Sequence, residues 1–301
     1  MTDSKKEPGS PLWEASLVLS QLAQSYRASL VAPSVANNSF ELTIFVSLYN
    51  EESCILNTLK TVTASMNEIQ KSYEVIVIDD CSTDRSPDLV RSFIEEHPDL
   101  NIILIINKTN RGLARNFFDG ARIGHGEWYR LVCGDDVEPL ETLVTIFKHI
   151  GAAEMVVPYQ IECPGKTFLR IFLSRTFTTA VNLISGHNLR YYNGLAIHRR
   201  SNVLRWPISC RGLSFQADLL TRLLDEGVSF VEVPVKTHER HFGKSTALSF
   251  KNLRSVCHTL LDILIRRLRK IFLFSRQSSR SNSSCQIHTQ ERRTHELYNK
   301  K

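Results

Sequence analysis

None of the seven cysteines stands in a C-x-x-C pair, and their number is odd. Both facts argue against a disulfide framework and a structural zinc site, and fit a reducing compartment. No run of about 18 apolar residues occurs, so no membrane-spanning helix is expected. The opening MTDSKKEPGSPLW lacks the charged-then-apolar pattern of a signal peptide, and the expectation is a cytoplasmic protein. No G-x-G-x-x-G follows the first strand-like run, and no G-x-x-x-x-G-K-[ST] occurs anywhere. A glycine-rich phosphate loop is therefore excluded.

Net charge is small over most of the chain and concentrated at its end. The formal net charge is +6, yet from Arg266 onward ten Lys/Arg stand against two Glu, a surplus of 8 that leaves −2 for everything before it. A near-neutral body argues against nucleic acid as a partner. The basic end suits an anionic surface, such as the inner face of a membrane contacted peripherally. Residues 275–301 are rich in Ser, Arg and Gln and are expected to be a disordered basic tail.

What is present is a repeated pattern of apolar run, polar end and helix. The clearest copy is YEVIVIDDCSTDRSP, Tyr73 to Pro87. Its four β-branched residues, 75–78, read as a strand buried on both faces of a parallel sheet. The run ends in Asp79 and Asp80. Ser86 then reads as an N-cap with Pro87 at the first helical position. Similar strands are expected at Leu42–Leu48, Asn101–Ile106, Trp128–Val132 and Met155–Pro158. Helices are expected over about 53–69, 87–97, 113–123 and 139–150. The alternation predicts βαβ units and a parallel sheet. Residues 1–40 form an extension, with a helix expected over Leu17–Leu30.

In such sheets ligands bind beyond the carboxyl ends of the strands. Asn50/Glu51, Asp79/Asp80, Asn110/Arg111 and Asp135/Asp136 should therefore converge. Alone, Asp79-Asp80 fits a turn cap as well as a ligand contact. Asp135-Asp136 alone fits a solvated acidic turn as well as a metal site. With no glycine-rich loop, the remaining route to a phosphorylated ligand is Mg²⁺ or Mn²⁺ held by carboxylates.

The order YNEE, DDCSTD, NRGLARNFFDGARIGHGEW, CGDDVEP over roughly residues 40–150 resembles the family 2 glycosyltransferases of GT-A fold. NGLAIHRR, LSFQADLLTRLLDEGVSFVEVPV and ERHFGKST resemble the dolichyl- or polyprenyl-phosphate mannosyltransferase branch and its bacterial relatives. The resemblance covers about 40–250. It implies a Rossmann-like, mostly parallel α/β sheet flanked by helices. It also implies inverting transfer of a sugar from a nucleotide-diphosphate sugar donor, with a divalent metal. By the resemblance, Tyr49 and Glu51 line the nucleotide pocket, Asp80 accepts from the base ring, and Arg111 and Arg115 flank the donor. Asp135 falls on the second Asp of the family's D-x-D. Cys133 occupies the place of the first Asp, so Asp136 is expected to supply the missing carboxylate.

The acceptor is either a lipid phosphate or a glycan hydroxyl. A hydroxyl needs a general base, and Asp218 in FQADLL holds that family position. A phosphate arrives ionised and needs cations, for which Arg199, Arg200, Arg240 and Lys244 are placed by the resemblance. A fold that binds nucleotide sugar without transfer is the non-enzymatic alternative. Two further stretches read as amphipathic helices, Phe168–Ile184 and a basic one within residues 251–274. In the latter, Leu253, Val256, Leu260, Leu264, Leu268 and Ile271 form a stripe that suits either a membrane interface or the protein's own sheet.

Overall fold

A computed structural model describes residues 40–162, 167–206, 214–238 and 254–270. The expected helix over Leu17–Leu30, the basic residues Arg240 and Lys244, and the tail from residue 275 lie outside the described residues. In chain order the elements are β1 (Leu42–Leu48), α1 (Ile55–Ile69), β2 (Tyr73–Asp79), α2 (Ser86–Glu96), β3 (Ile102–Ile106), α3 (Leu113–Ile123) and β4 (Trp128–Cys133). Then come α4 (Leu140–Phe147), β5 (Met155–Glu162), α5 (Phe168–Ser185), β6 (Ile197–Arg199), α6 (Arg200–Leu204), α7 (Phe215–Asp225) and β7 (Phe230–Lys236). A last helix, α8, spans residues 254–270.

The strands form one sheet in the order β3-β2-β1-β4-β6-β5-β7. The first four are parallel, as the alternating pattern predicts. The short β6 runs antiparallel to both β4 and β5, and β7 is parallel to β5. Two reversals across β6 restore direction, so β5 and β7 point the same way as β1–β4.

Side chains alternate across a strand, and this sheet sorts its apolar residues accordingly. Leu42, Ile44, Val46, Val75 and Val77 face one layer, against Leu59 of α1, Phe93 of α2 and Phe147 of α4. Phe45, Ile76 and Ile78 face the other, against Phe117 of α3, Phe215 of α7 and Ile263 of α8. A strand buried on both sides favours apolar residues at successive positions, which is why the run at 75–78 shows no alternation and Ile44, Phe45 and Val46 stand together in β1.

Local chemistry sets the helix positions. α1 buries Ile55, Leu59, Val62 and Met66 at helical spacing and ends at Gln70, whose φ of 54° closes the last turn on Met66 O. α3 rests unusually close to the sheet. A Cβ on Gly120 would lie 2.6 Å from the Tyr129 hydroxyl, which itself donates to Phe117 O at 2.6 Å. Ser86 departs from the N-cap role expected of it. It is the first residue of α2, Arg85 precedes it in the cap position, and its hydroxyl donates instead to Asp84 Oδ1 at 2.6 Å.

His198 on β6 is fully enclosed, with the Phe117 ring edge-on at 6.5 Å. Burial pushes its pKa down from 6.5 to about 4. It is therefore neutral when folded and protonates near 6.5 when unfolded. Its stabilising contribution is complete above about pH 6.5 and is lost as pH falls toward 4, on the order of 3 kcal/mol in all. The thermal midpoint should fall between pH 7 and pH 4.5. His198→Gln should flatten that fall, and equal slopes in the two proteins would contradict the assignment.

Candidate functional site

All four parallel strands release their chain on one edge, and the loops there are sewn together by polar side chains. Asn50 N–H donates to Ser82 Oγ at 2.9 Å, and Thr83 N–H donates to Asn50 Oδ1 at 2.8 Å. Glu51 N–H donates to Ser86 Oγ at 2.9 Å and Glu52 N–H to Asp84 Oδ2 at 3.1 Å. The loop after β1 is thus fixed to the loop after β2. Ser82, Asp84 and Ser86 do this work, whereas the sequence offered the first two as turn formers and Ser86 as an N-cap. Tyr49 projects from the end of β1 with half its surface exposed. Buried Asp79 receives Ser82 N–H, and desolvation raises its pKa.

Asp80 joins the third loop. Its carboxylate accepts from Arg111 N at 2.7 Å, Gly112 N at 2.9 Å and Asn107 Nδ2 at 3.0 Å. Three of the roughly four lone-pair positions of a carboxylate are so occupied. Gly112 has φ +84°, a conformation that favours glycine. The side chain of Arg111 turns to Asp119 at 3.0 Å, and Arg115 meets the same carboxylate at 3.1 Å. Asp119 is fully buried, with Arg122 also 3.7 Å away. Sequence reading placed Arg111 and Arg115 in this region and missed Asp119. The signal available was its spacing, four after Arg115 and three before Arg122 on one helix.

The loop after β4 carries Asp135 and Asp136, both partly exposed. Gly134 N–H donates to Ser47 O at 3.0 Å and Asp136 N–H to Thr58 Oγ1 at 3.1 Å. Asp136 has φ 55°, in the left-handed region. The loop is anchored from below by an ion pair that sequence reading also missed. Arg130 has no exposed surface, reaches Glu138 Oε1 at 2.5 Å and donates from Nε to Leu195 O at 3.1 Å. Burial pushes the Glu138 carboxyl up, against the pull of Arg130.

Among the described residues, no group of three or more His, Cys, Asp or Glu forms a metal cage. Two adjacent, partly open carboxylates nevertheless fit Mg²⁺ or Mn²⁺, which typically take one or two carboxylates and fill their shell from phosphates and water. The Cys133 thiol beside them is pushed far up by burial and by the nearby Asp135 and Glu138.

On the acceptor side, the expected residues separate. Asp218 lies in the first turn of α7, buried, with Arg266 Nη1 at 2.7 Å and Arg222 Nε at 2.9 Å. Despite desolvation, these partners hold its carboxyl below the usual range. Arg199 and Arg200 are not beside the metal loop. β6 is antiparallel to β4, so Arg199 pairs with Trp128, at the start of β4 and the far edge of the sheet. There Arg199 meets Glu127 at 2.5 Å, and Arg200 donates to Gly126 O at 2.8 Å. β7 ends on the loop edge, where His238 N–H donates to Val137 O at 2.9 Å. The segment with Arg240 and Lys244 follows directly, outside the described residues.

The architecture is thus a seven-stranded, mostly parallel sheet with an acidic loop on its carboxyl edge. Residues 43–210 match the model for Glycosyl transferase family 2, and the chain belongs to that family of glycosyltransferases. It is 22% identical over 233 residues to an undecaprenyl-phosphate 4-deoxy-4-formamido-L-arabinose transferase of Edwardsiella ictaluri, covering 77% of this chain and 71% of that one. A dolichyl-phosphate beta-glucosyltransferase of Dictyostelium discoideum is 32% identical over 135 residues, 42% of this chain and 41% of its own. Glucosyl-3-phosphoglycerate synthase of Mycobacterium tuberculosis, solved with Mn²⁺ and uridine-diphosphate-glucose, shares the fold at TM-score 0.56 and 14% identity, over 86% and 85% of the two chains. The fold is accordingly GT-A.

Removing one partner of a buried ion pair leaves a charge without compensation. Arg130→Met should cost about 3–5 kcal/mol in urea unfolding. Adding Glu138→Leu should recover much of that loss. A single variant as stable as the parent would show that the pair does not anchor the loop.

Proposed function

We propose that this glycosyltransferase moves a sugar, with inversion, from a nucleotide-diphosphate sugar to a polyprenyl phosphate, working peripherally at the inner face of a membrane. The observation that carries the acceptor choice is Asp218. A general base works best with a pKa near the operating pH, and this carboxyl is held low by Arg222 and Arg266. A phosphate acceptor needs no base. The names of the curated relatives, which act on undecaprenyl and dolichyl phosphates, support the same choice.

In this reading Tyr49 and Glu51 border the nucleotide, and Asp80 orients the loop beside the base while spending most of its capacity on Arg111 and Gly112. Arg111, Arg115 and Arg122 bring three permanent cations to one carboxylate, a positive surplus beside the donor diphosphate. Asp135 and Asp136 would hold Mg²⁺ or Mn²⁺, which when bound neutralises charge on the departing diphosphate. Arg240 and Lys244 orient the acceptor phosphate for attack on the sugar face opposite the leaving group. No helix among the described residues is long and apolar enough to cross a membrane, so a peripheral contact would bring enzyme and lipid together.

The test is a screen of UDP- and GDP-sugars with Mn²⁺, Mg²⁺ or chelator, and with polyprenyl phosphate present or absent. Release of nucleotide diphosphate from one donor should need both metal and lipid. Asp218→Asn should retain release within about tenfold, whereas loss of a true general base costs about 10²–10⁴-fold. Circular dichroism would check that this variant is folded. A larger loss in the folded variant, or release driven by a glycan hydroxyl instead, would overturn the phosphate reading.

A further inference from the structure

Two helices turn their most apolar arcs outward. On α5 the residues packed inward include Val181 and Ser185, whereas Phe168, Leu169, Phe172, Leu173 and Leu183 are exposed, Phe168 by 84% and Leu183 by 79%. Placed at 100° per residue, these five fall on one arc, which α5 shares with Thr176 and Thr179. The helix contains two Arg and no Asp or Glu. On α8 the inward face carries Thr259 and Ile263, and Arg266, which reaches Asp218. Leu261, Leu264, Ile265 and Leu268 point away from the body, flanked by exposed Arg254 and Arg269. The stripe expected from sequence ran through Leu260, Leu264 and Leu268, with either a membrane or the protein's own sheet as its cover. Leu260 packs partly on the core, and the other two face out.

The two arcs belong to one layer. A Cβ on Gly186, which ends α5, would meet the Arg267 guanidinium of α8 at 2.8 Å. β5 ends on the same sheet edge as β4, and residues 163–167 lead from it into α5. Phe168 and Phe172, both exposed, lie in the first two turns of α5.

We infer that the outward face of α5 and α8 is a docking surface for an anionic lipid bilayer. Charge decides between this occupant and a second copy. Arg175, Arg254 and Arg269 border the apolar arcs, and the chain from Arg266 onward adds its basic surplus. An isologous pairing would bring one positive patch against a second copy of the same patch. Anionic headgroups would neutralise them while the Phe and Leu side chains enter the acyl boundary. The inference deepens the membrane-acceptor reading and rests on it for its purpose, and it adds that docking sets the metal-loop edge beside the lipid surface.

Full-length protein would be floated with vesicles of phosphatidylglycerol and phosphatidylethanolamine, or of phosphatidylcholine alone, without sugar donor or polyprenyl phosphate. The parent should partition to the anionic vesicles. Phe172→Glu with Leu173→Glu, and separately Leu264→Glu with Ile265→Glu, should each lower partitioning by about tenfold or more. Unchanged partitioning of both variants would overturn the inference and leave the basic tail as the binding element. A parent that ignores anionic vesicles would overturn it too. So would a parent dimer that these substitutions dissociate without any vesicle binding, which would make the face a self-contact. Transfer is read separately in detergent with a short-chain prenyl phosphate. Release there without vesicle binding removes only the docking surface, and vesicle binding without release from any donor removes the acceptor reading.

Discussion

Parallel pairing of β1 with both β2 and β4 is the constraint from which the site follows. Parallel neighbours cannot be joined by a tight turn, so each strand must be followed by a crossover. Every carboxyl end then emerges on the same edge, and the polar residues there come within reach of one another. The loops after β1, β2, β3 and β4 could not be sewn together as they are if one of these strands ran the other way. Arg199 and Arg200 illustrate the converse. One reversed strand, β6, sends them to the far edge.

Acidic residues organise this edge in two different ways. Asp80 and Asp119 are wholly or nearly enclosed and are occupied in holding backbone amides and guanidinium groups. Asp135 and Asp136 are partly open, on a loop fixed by its backbone and by Glu138 beneath it. A buried carboxylate held by amides and guanidinium groups gives rigidity, while a partly exposed one can be reached by a ligand. Asp218, which family position offers as a base, belongs with the enclosed group, held by Arg222 and Arg266.

Much of the sheet was legible because strands buried on both faces leave an unmistakable apolar run, as at Ile76 and Val77. The edge where ligands gather was legible for the same reason, since polar residues end each run. The ion pairs were not. Arg130 lies inside a strand, and only its distance from Glu138 in space, not any motif, reveals the pairing. Ser86 looked like a cap because Pro87 follows it, but Asp84 competes for its hydroxyl. The reversal at β6 was hidden because three residues carry too little pattern to show direction. The outward faces of α5 and α8 were hidden because apolar spacing tells which residues share a side, not which side is covered.

The reversed strand has a mechanical consequence. β1 and β2 are joined through seven register pairs, and β1 and β4 through six. β6 is joined to β4 through three and to β5 through two. The sheet is therefore two panels on a narrow strap. One panel, β3-β2-β1-β4, bears the acidic loops, and the other, β5-β7, leads into the outward-facing helices. A strap with few hydrogen bonds is where relative twisting costs least. The Arg130 bond to Leu195 O, crossing toward the strap from the fully buried end of the loop anchor, acts as its pin. The fold thus joins two wide panels through the three residues of β6, and the two core layers that cross this junction, rather than the strap's own hydrogen bonds, hold the panels in line.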